Sequence, residues 1–512
     1  MKKLLIAICT IASFSASAQQ NTLLESSFWQ EKPDVTHVKA EVAKGNSPSE
    51  SNRMSMDAVV MAINADAPNT SIIYLLEQPG NGVSKLTHDA RTYLHWASNK
   101  GNVEIMEYLI TKGAKLNIQD SHGTTPLFFA AASGQQNTKV YDVFIAHGVS
   151  LKKELNADGA NVLLLAIAGD KDFALTNYFV SKGLDINSTD AAGNNAFSYA
   201  AKSGNIELLK ALLQKGVKPS ANAMLMAAQS GGGRRGGSAG ATLATYQYLE
   251  GLNIKPTITG KNGENVLHAI VRKQKQNDII KYFLDKGVDI NQADEDGNTA
   301  FMNAAAANRD TSVINMLIGR VKNINQANKK SVTALAMALK GNSPEVVRLL
   351  IAKGADVNVV DLSGNNMACY VLESYRPQGG QGFGGPGGER AFNGPKPEDF
   401  DTKLNLLREK GLNVAAAQKD GNTLYHLAVV KNDVALLKRL QSFGIDVNSQ
   451  NKEGLTALHK AALVSKDDSL LKYLLSIGAK KDALTNFKET AFDLASENES
   501  LSKNNVSVNF LK

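Results

Sequence analysis

A unit of about 33 residues returns along almost the whole chain, and few sequence features restrict a fold more tightly. Closely similar strings mark it: Lys112-Gly113-Ala114-Lys115-Leu116-Asn117, Lys182-Gly183-Leu184-Asp185-Ile186-Asn187, Lys286-Gly287-Val288-Asp289-Ile290-Asn291, Lys353-Gly354-Ala355-Asp356-Val357-Asn358 and Phe443-Gly444-Ile445-Asp446-Val447-Asn448. Each follows an amphipathic stretch, such as Asp278 to Asp285 or Glu345 to Ala352. Each precedes a turn-rich segment with Gly, such as Asp296-Gly297-Asn298 or Asp420-Gly421-Asn422. A small-residue helix comes next, as in Thr456-Ala457-Leu458-His459-Lys460-Ala461-Ala462, or Thr125-Pro126-Leu127 leading to Ala130-Ala131-Ala132. A unit this short cannot bury its apolar face alone and must stack on its neighbours. The 512 residues therefore divide into about a dozen stacked units rather than three or four globular domains.

Each residue type has a physical task at its place. Thr at 92, 125, 299, 333, 423, 456 and 490, or Asn at 161, 195, 222, 265 and 366, opens the first helix by accepting from unpaired backbone N–H groups. The Ala pairs let two antiparallel helices approach closely, and Leu208-Leu209, Leu349-Leu350 and Leu474-Leu475 of the second helix bury between units. Gly at 113, 148, 183, 216, 251, 287, 354, 411, 444 and 478 is expected to stop that second helix in the left-handed conformation. Val321 stands where such a Gly is expected. The Asp/Asn-x-Asn string then turns the chain into a short β-hairpin.

These residues resemble the ankyrin repeat: Thr-Pro-Leu-His-x-Ala-Ala, a mid-repeat Gly, Leu-Leu, then Gly-Ala-Asp-Val-Asn. Agreement is strongest at 88–120, 120–157, 190–218, 262–362 and 420–486, and only Pro126 fills the Pro position. The resemblance implies an all-α repeat solenoid of stacked helix-turn-helix units with short β-hairpin loops, spanning 52–486. Residues 19–51 are then a candidate helical cap and 487–512 a C-terminal capping unit. It also implies non-enzymatic binding of another protein through hairpin tips and the concave helix face. Carried over by register, the contact positions are Gln119, Ser121 and His122; Ala293, Glu295 and Asp296; Lys329 and Lys330; Val360, Leu362 and Ser363; and Lys452 and Glu453. Val360 and Leu362 lead this set, because apolar residues at a tip have little reason to face water.

The first eighteen residues read as an address. Lys2 and Lys3 precede an apolar run from Leu4 to Phe14, and Ala16-Ser17-Ala18 offers a signal-peptidase site. Ile8 before Cys9 argues against lipidation. Export is the expectation, to a bacterial periplasm or beyond the cell. No later apolar run reaches membrane-spanning length, so no stable insertion is expected. Removing the leader would leave Cys369 as the only thiol, so no disulfide framework is available. The net charge of +7 is spread along the chain and calls for no nucleic-acid partner.

Two Gly-rich insertions, 230–240 and 376–397, break the period between the first and second helix of their units and hold 14 of the 42 Gly. Each contains a Gly-x-Gly-x-x-Gly spacing, at 231/233/236 and 382/384/387. A helix precedes both, where a dinucleotide site needs a strand. Arg234, Arg235, Phe383, Arg390 and Phe392 keep open arms that touch a partner. An enzyme or ligand carrier using these arms, or a secreted effector binding a host protein, is the alternative. Other chemistry has a structural explanation. His95, His268, His426 and His459 share one repeat position, so they form a ladder and not a convergent metal cluster; the resemblance implies that each hydrogen-bonds the adjoining loop. Cys369 falls in the same position, as a buried small hydrophobe. Asp294-Glu295-Asp296-Gly297 lacks the Glu that a calcium loop needs at position 12. No cofactor, metal or catalytic constellation is expected, and the stack is expected to be monomeric.

Overall fold

The structure, a computed structural model, describes residues 21–229, 240–376 and 397–512. The leader at 1–18 and most of both Gly-rich insertions, with Arg234, Arg235, Phe383, Arg390 and Phe392, lie outside these residues. The chain divides into two compact bodies, Met1–Ala200 and Ala201–Lys512. Among the described residues the regular structure is helical, and β pairing is limited to isolated bridges.

The first body is built of antiparallel helix pairs: Ala58–Asn64 with Asn69–Leu76, Tyr93–Lys100 with Val103–Thr111, Pro126–Ala132 with Thr138–Ala146, and Val162–Ala166 with Ala174–Ser181. First helices pack on first helices of the next pair, and second on second. Before them come the helices Ser26–Gln30 and Val35–Ala43. Trp29 is fully buried there and donates from its indole N–H to the Leu23 carbonyl at 2.8 Å. Trp96 packs inside its first helix and donates to Thr87 Oγ1 at 2.9 Å.

The second body repeats the pattern, from Ala223–Ala228 with Leu243–Gly251 through Ala300–Ala307 with Thr311–Ile318, Ala334–Gly341 with Pro344–Ala352 and Met367–Ser374 with Pro397–Glu409, to Ala457–Val464 with Ser469–Ser476 and Ala491–Glu497 with Glu499–Lys503. Small residues explain why first helices approach so closely. Ala304, Ala305 and Ala338 are wholly buried where the helices Ala300–Ala307 and Ala334–Gly341 meet. Second helices supply the bulk: Ile280 and Phe283 of Asn277–Asp285 are fully buried, each worth about 1.5–3 kcal/mol. Thr299 Oγ1 accepts from Met302 N–H at 3.3 Å and Asn161 Oδ1 from Leu164 N–H at 3.0 Å, so the Thr/Asn position caps as its chemistry requires.

The structure corrects three local expectations. Gly251 does not stop its helix, which runs through it; Asn253 takes the left-handed conformation instead, at φ 62°. Ile254 N–H then donates to Leu249 O at 3.2 Å, as Ala114 N–H does to Leu109 O, which places Asn253 in the Gly position two residues later. Asn tolerates that conformation better than most residues with a side chain. Asn222 has helical backbone angles, φ −67° and ψ −11°, so the helix Ala223–Ala228 begins without the extended cap seen elsewhere. The hairpins are thinner than β-hairpins: Thr259 with Asn265, Ala293 with Thr299 and Ala327 with Thr333 each form one antiparallel bridge. At Val321 the helix ends without any left-handed residue, yet Asn291 still accepts from Lys322 N–H at 2.9 Å and donates to Arg320 O at 3.1 Å, the bond pair that Asn325 and Asn448 make at the Gly354 and Gly478 helix ends.

Candidate protein-binding surface

Most hairpin tips are organised by one short polar side chain. Asp294 Oδ1 accepts from the N–H groups of Asp296 and Asn298 at 3.0 and 2.8 Å, and Asp294 N–H returns a bond to Asn298 O at 2.9 Å. Asn328 does the same for Lys330 and Val332, both at 2.9 Å, and Asp361 for Asn365 at 2.9 Å. Glycine closes most tips: Gly297 and Gly421 sit at φ 83° and 84°, where a side chain would be strained. The segment Asp294 to Gly297 is thus an in-register turn, and among the described residues no cluster of His, Cys, Asp and Glu could hold a metal ion.

The tips are joined by main-chain hydrogen bonds, which sequence reading had not located. Within the first body, Ser121 N–H donates to Asp89 O and Ala191 N–H to Asp158 O, both at 2.8 Å. Within the second, the donors are Glu295 to Asn262 (2.7 Å), Lys329 to Asp296 (2.9 Å), Leu362 to Lys330 (3.1 Å), Lys419 to Gly364 (3.3 Å), Lys452 to Asp420 (3.1 Å) and Asn486 to Glu453 (3.2 Å). The donor is always the second residue of its tip. The signal was present in the sequence as the 33- or 34-residue spacing of those residues wherever no insertion intervenes.

This ladder fixes the backbone and leaves the side chains outside. Gln119, Ser121, His122, Ala293, Glu295, Asp296, Lys329, Lys330, Val360, Leu362, Ser363, Lys452 and Glu453 are all exposed. Val360 keeps 52% and Leu362 67% of its surface in contact with solvent, although Leu362 is held by the Lys330 carbonyl. Leu362 borders a groove of about 550 Å³ whose floor includes Val332 and Met337. The groove's own carboxylates are engaged: Asp361 accepts from Tyr370 Oη at 2.8 Å and from Asn365 Nδ2 at 3.0 Å, and Glu373 pairs with Lys340 at 2.6 Å. Lys329 and Lys330 have no carboxylate at ion-pairing distance among the described residues.

The four repeated histidines lie elsewhere, one step inward, and share one geometry. Nδ1 of His95, His268, His426 and His459 accepts from the N–H of its own cap residue at 3.1 Å. Nε2–H donates to a carbonyl one repeat on: Thr124 (3.0 Å), Asn298 (3.1 Å), Leu455 (2.8 Å) and Ala483 (3.1 Å). Both ring nitrogens are occupied by the backbone. Burial holds His95, His426 and His459 below the usual imidazole range, in the neutral form this pattern needs. Cys369, in the same position, is buried, and its thiol is pushed up to about 12 by that burial and by the charges of Asp361 and Glu373.

Three structural features were missed in the sequence. Asp57, fully buried, caps Ala58–Asn64 through Val60 N–H (3.0 Å) while its other oxygen takes Tyr93 Oη and Lys85 Nζ, both at 2.6 Å. Asn342 Nδ2 clamps the Ala305 and Asn308 carbonyls at 2.8 Å, and Asn308 and Asn498 clamp the preceding units in the same way. Lys403 is fully buried and donates to Leu339 O at 2.9 Å. Its place between Phe400, Leu404 and Leu407 on one helical face was the available clue.

Comparison with known proteins agrees with this architecture. A family model described as Ankyrin repeats (3 copies) matches residues 56–154, 138–223, 241–328, 267–361 and 403–508, most of the chain. The chain is similar to Transient receptor potential cation channel subfamily A member 1 of Homo sapiens, at 22% identity over 75% of this chain and 36% of that protein. It is similar to Alpha-latroinsectotoxin-Lt1a of Latrodectus tredecimguttatus, at 25% identity over 60% of this chain and 23% of that protein. The chain thus spans little more than a third, or less, of the length of these curated relatives. Among solved structures, the ankyrin repeat domain of Bcl-3 aligns at 20% identity and TM-score 0.35, over 46% of this chain and 95% of that one. With repeats, caps and tips in register and the family model covering well over half of its length, this chain belongs to the ankyrin-repeat family.

Proposed function

We propose that this chain is a non-enzymatic scaffold that works after export, in the bacterial periplasm or outside the cell, and holds another protein on its hairpin tips. Ankyrin repeats as a family point to protein partners. The observation that carries the reading is the pair Val360 and Leu362, two large apolar side chains kept in water on a hydrogen-bonded tip. Export is supported by the basic, apolar and small-residue pattern of residues 1–18. Among the described residues no helix is long and apolar enough to cross a membrane. The scaffold acts as a monomer, without cofactor or nucleic acid.

The test joins fractionation to crosslinking in the cell envelope. Val360→Lys with Leu362→Lys is expected to leave the helical circular dichroism unchanged and to abolish a specific crosslinked product. Retention of that product at wild-type yield would remove the tip from the binding centre. Recovery of the chain only from the cytosol would overturn export.

A further inference from the structure

Glu295, Lys329 and Leu362 occupy the same second position of three successive tips, and each donates its main-chain N–H to the tip before it. The ladder therefore presents an acid, a base and an apolar group in a fixed row. Asp296 and Lys330, also exposed, reinforce the two charges. Successive helix pairs are spaced by about 8–10 Å. An extended chain advances about 3.3 Å per residue, so one repeat corresponds to three residues of a bound segment.

We infer, resting on the protein-binding reading above, that this row recognises an extended peptide segment of the pattern cation-x-x-anion-x-x-apolar. Its cation faces Glu295 and Asp296. Its carboxylate meets Lys329 and Lys330, which have no carboxylate at ion-pairing distance among the described residues. Its large apolar side chain sits against Leu362 over the floor of Val332 and Met337. Glu373 is paired with Lys340, and Asp361 is held back by hydrogen bonds from Tyr370 and Asn365, so neither carboxylate forms an ion pair with Lys329 or Lys330. Opposite charges across the row fix the register of the segment, and its reversal would set the apolar side chain against Glu295 and the cation against Leu362.

The probe is a fluorescein-labelled peptide with Arg, Glu and Leu at every third position on a Ser/Thr background, titrated with the full chain by fluorescence anisotropy. Its counterpart carries Glu, Arg and Leu. The first is expected to bind about tenfold more tightly than the second at low salt, with the difference shrinking as salt rises. In the chain carrying Glu295→Lys, Asp296→Lys, Lys329→Glu and Lys330→Glu the preference is expected to invert, a gain that misfolding cannot produce. Equal affinities, no inversion, or no binding of either peptide at millimolar concentration would each overturn the inference. If the envelope crosslink still depends on Val360 and Leu362 in that case, the scaffold reading stands and only the peptide code fails.

Discussion

His426 Nε2–H donates to the Leu455 carbonyl at 2.8 Å, tying a first helix to the turn of the following repeat. The bond requires a neutral ring, because Nδ1 simultaneously accepts from Thr423 N–H. His95 and His459 hold the same arrangement, and burial lowers the proton affinity of all three. In the unfolded chain these rings titrate near the ordinary value, about 6.5. Below that pH the unfolded state binds more protons than the folded one. Stability is therefore fully present above about pH 6.5 and declines as pH falls below it. Thermal melts are expected to lose several degrees between about pH 7.5 and pH 5. His426→Leu should cost about 1–3 kcal/mol at neutral pH and flatten the acid slope. A melt unchanged across that range would contradict the argument.

Gly421 and Gly287 offer a matched pair. Both are left-handed, at φ 84° and 83°. A Cβ on Gly421 would lie 2.9 Å from Asn451 Cα and Lys452 N in the adjoining tip, whereas one on Gly287 meets nothing within 4 Å. Gly287→Ala is expected to cost about 1 kcal/mol in urea unfolding, the conformational term alone. Gly421→Ala should cost at least twice that, because the ladder bond from Lys452 to Asp420 must shift.

Lys403 is buried with its ammonium donating to the Leu339 carbonyl, and burial lowers its pKa to about 8. Between that value and about 10.4 the unfolded chain holds the extra proton, so stability from this group rises with pH across the window. Lys403→Met, of similar shape, is expected to raise the urea midpoint at pH 7 by an amount equivalent to about 1–3 kcal/mol, and the gain should shrink by pH 10. A destabilised Lys403→Met chain would show that the Leu339 contact outweighs the desolvation.

Cys369 should behave as core rather than as a reagent. With its thiol pushed up to about 12 and its side chain buried, the native chain is expected to react with DTNB at least about a hundredfold more slowly than the chain in guanidinium. Fast native labelling of Cys369 would indicate local opening of the helix Met367–Ser374.

Much of this was readable in advance because a repeat states each physical requirement many times. Thr299 and Asn161 cap where the pattern put them, and Gly113, Gly183 and Gly354 take the left-handed conformation. The failures fall where a slot is filled by something else. Asn253 does the work expected of Gly251, and Asp57 caps its helix where the other units use Thr or Asn. Buried Lys403 broke the rule that charges mark a solvated face, and only its neighbours Phe400, Leu404 and Leu407 exposed it. For the surface, spacing alone located the tips. That Lys329 and Lys330 find no carboxylate among the described residues while Glu373 is taken needed side-chain geometry.

Asn366 N–H donates to Gln418 Oε1 at 2.8 Å, and Lys419 N–H to Gly364 O at 3.3 Å, joining neighbouring tips through residues more than 50 positions apart in the chain. Elsewhere the step is a single repeat. The extra length enters between the helices Met367–Ser374 and Pro397–Glu409, and the tip edge closes over the interruption as though nothing had been added. The two edges of such a protein can therefore be edited separately. Text inserted along the helix margin leaves the lettering on the tip margin in frame, so new appendages can be gained there without rewriting what the other side reads.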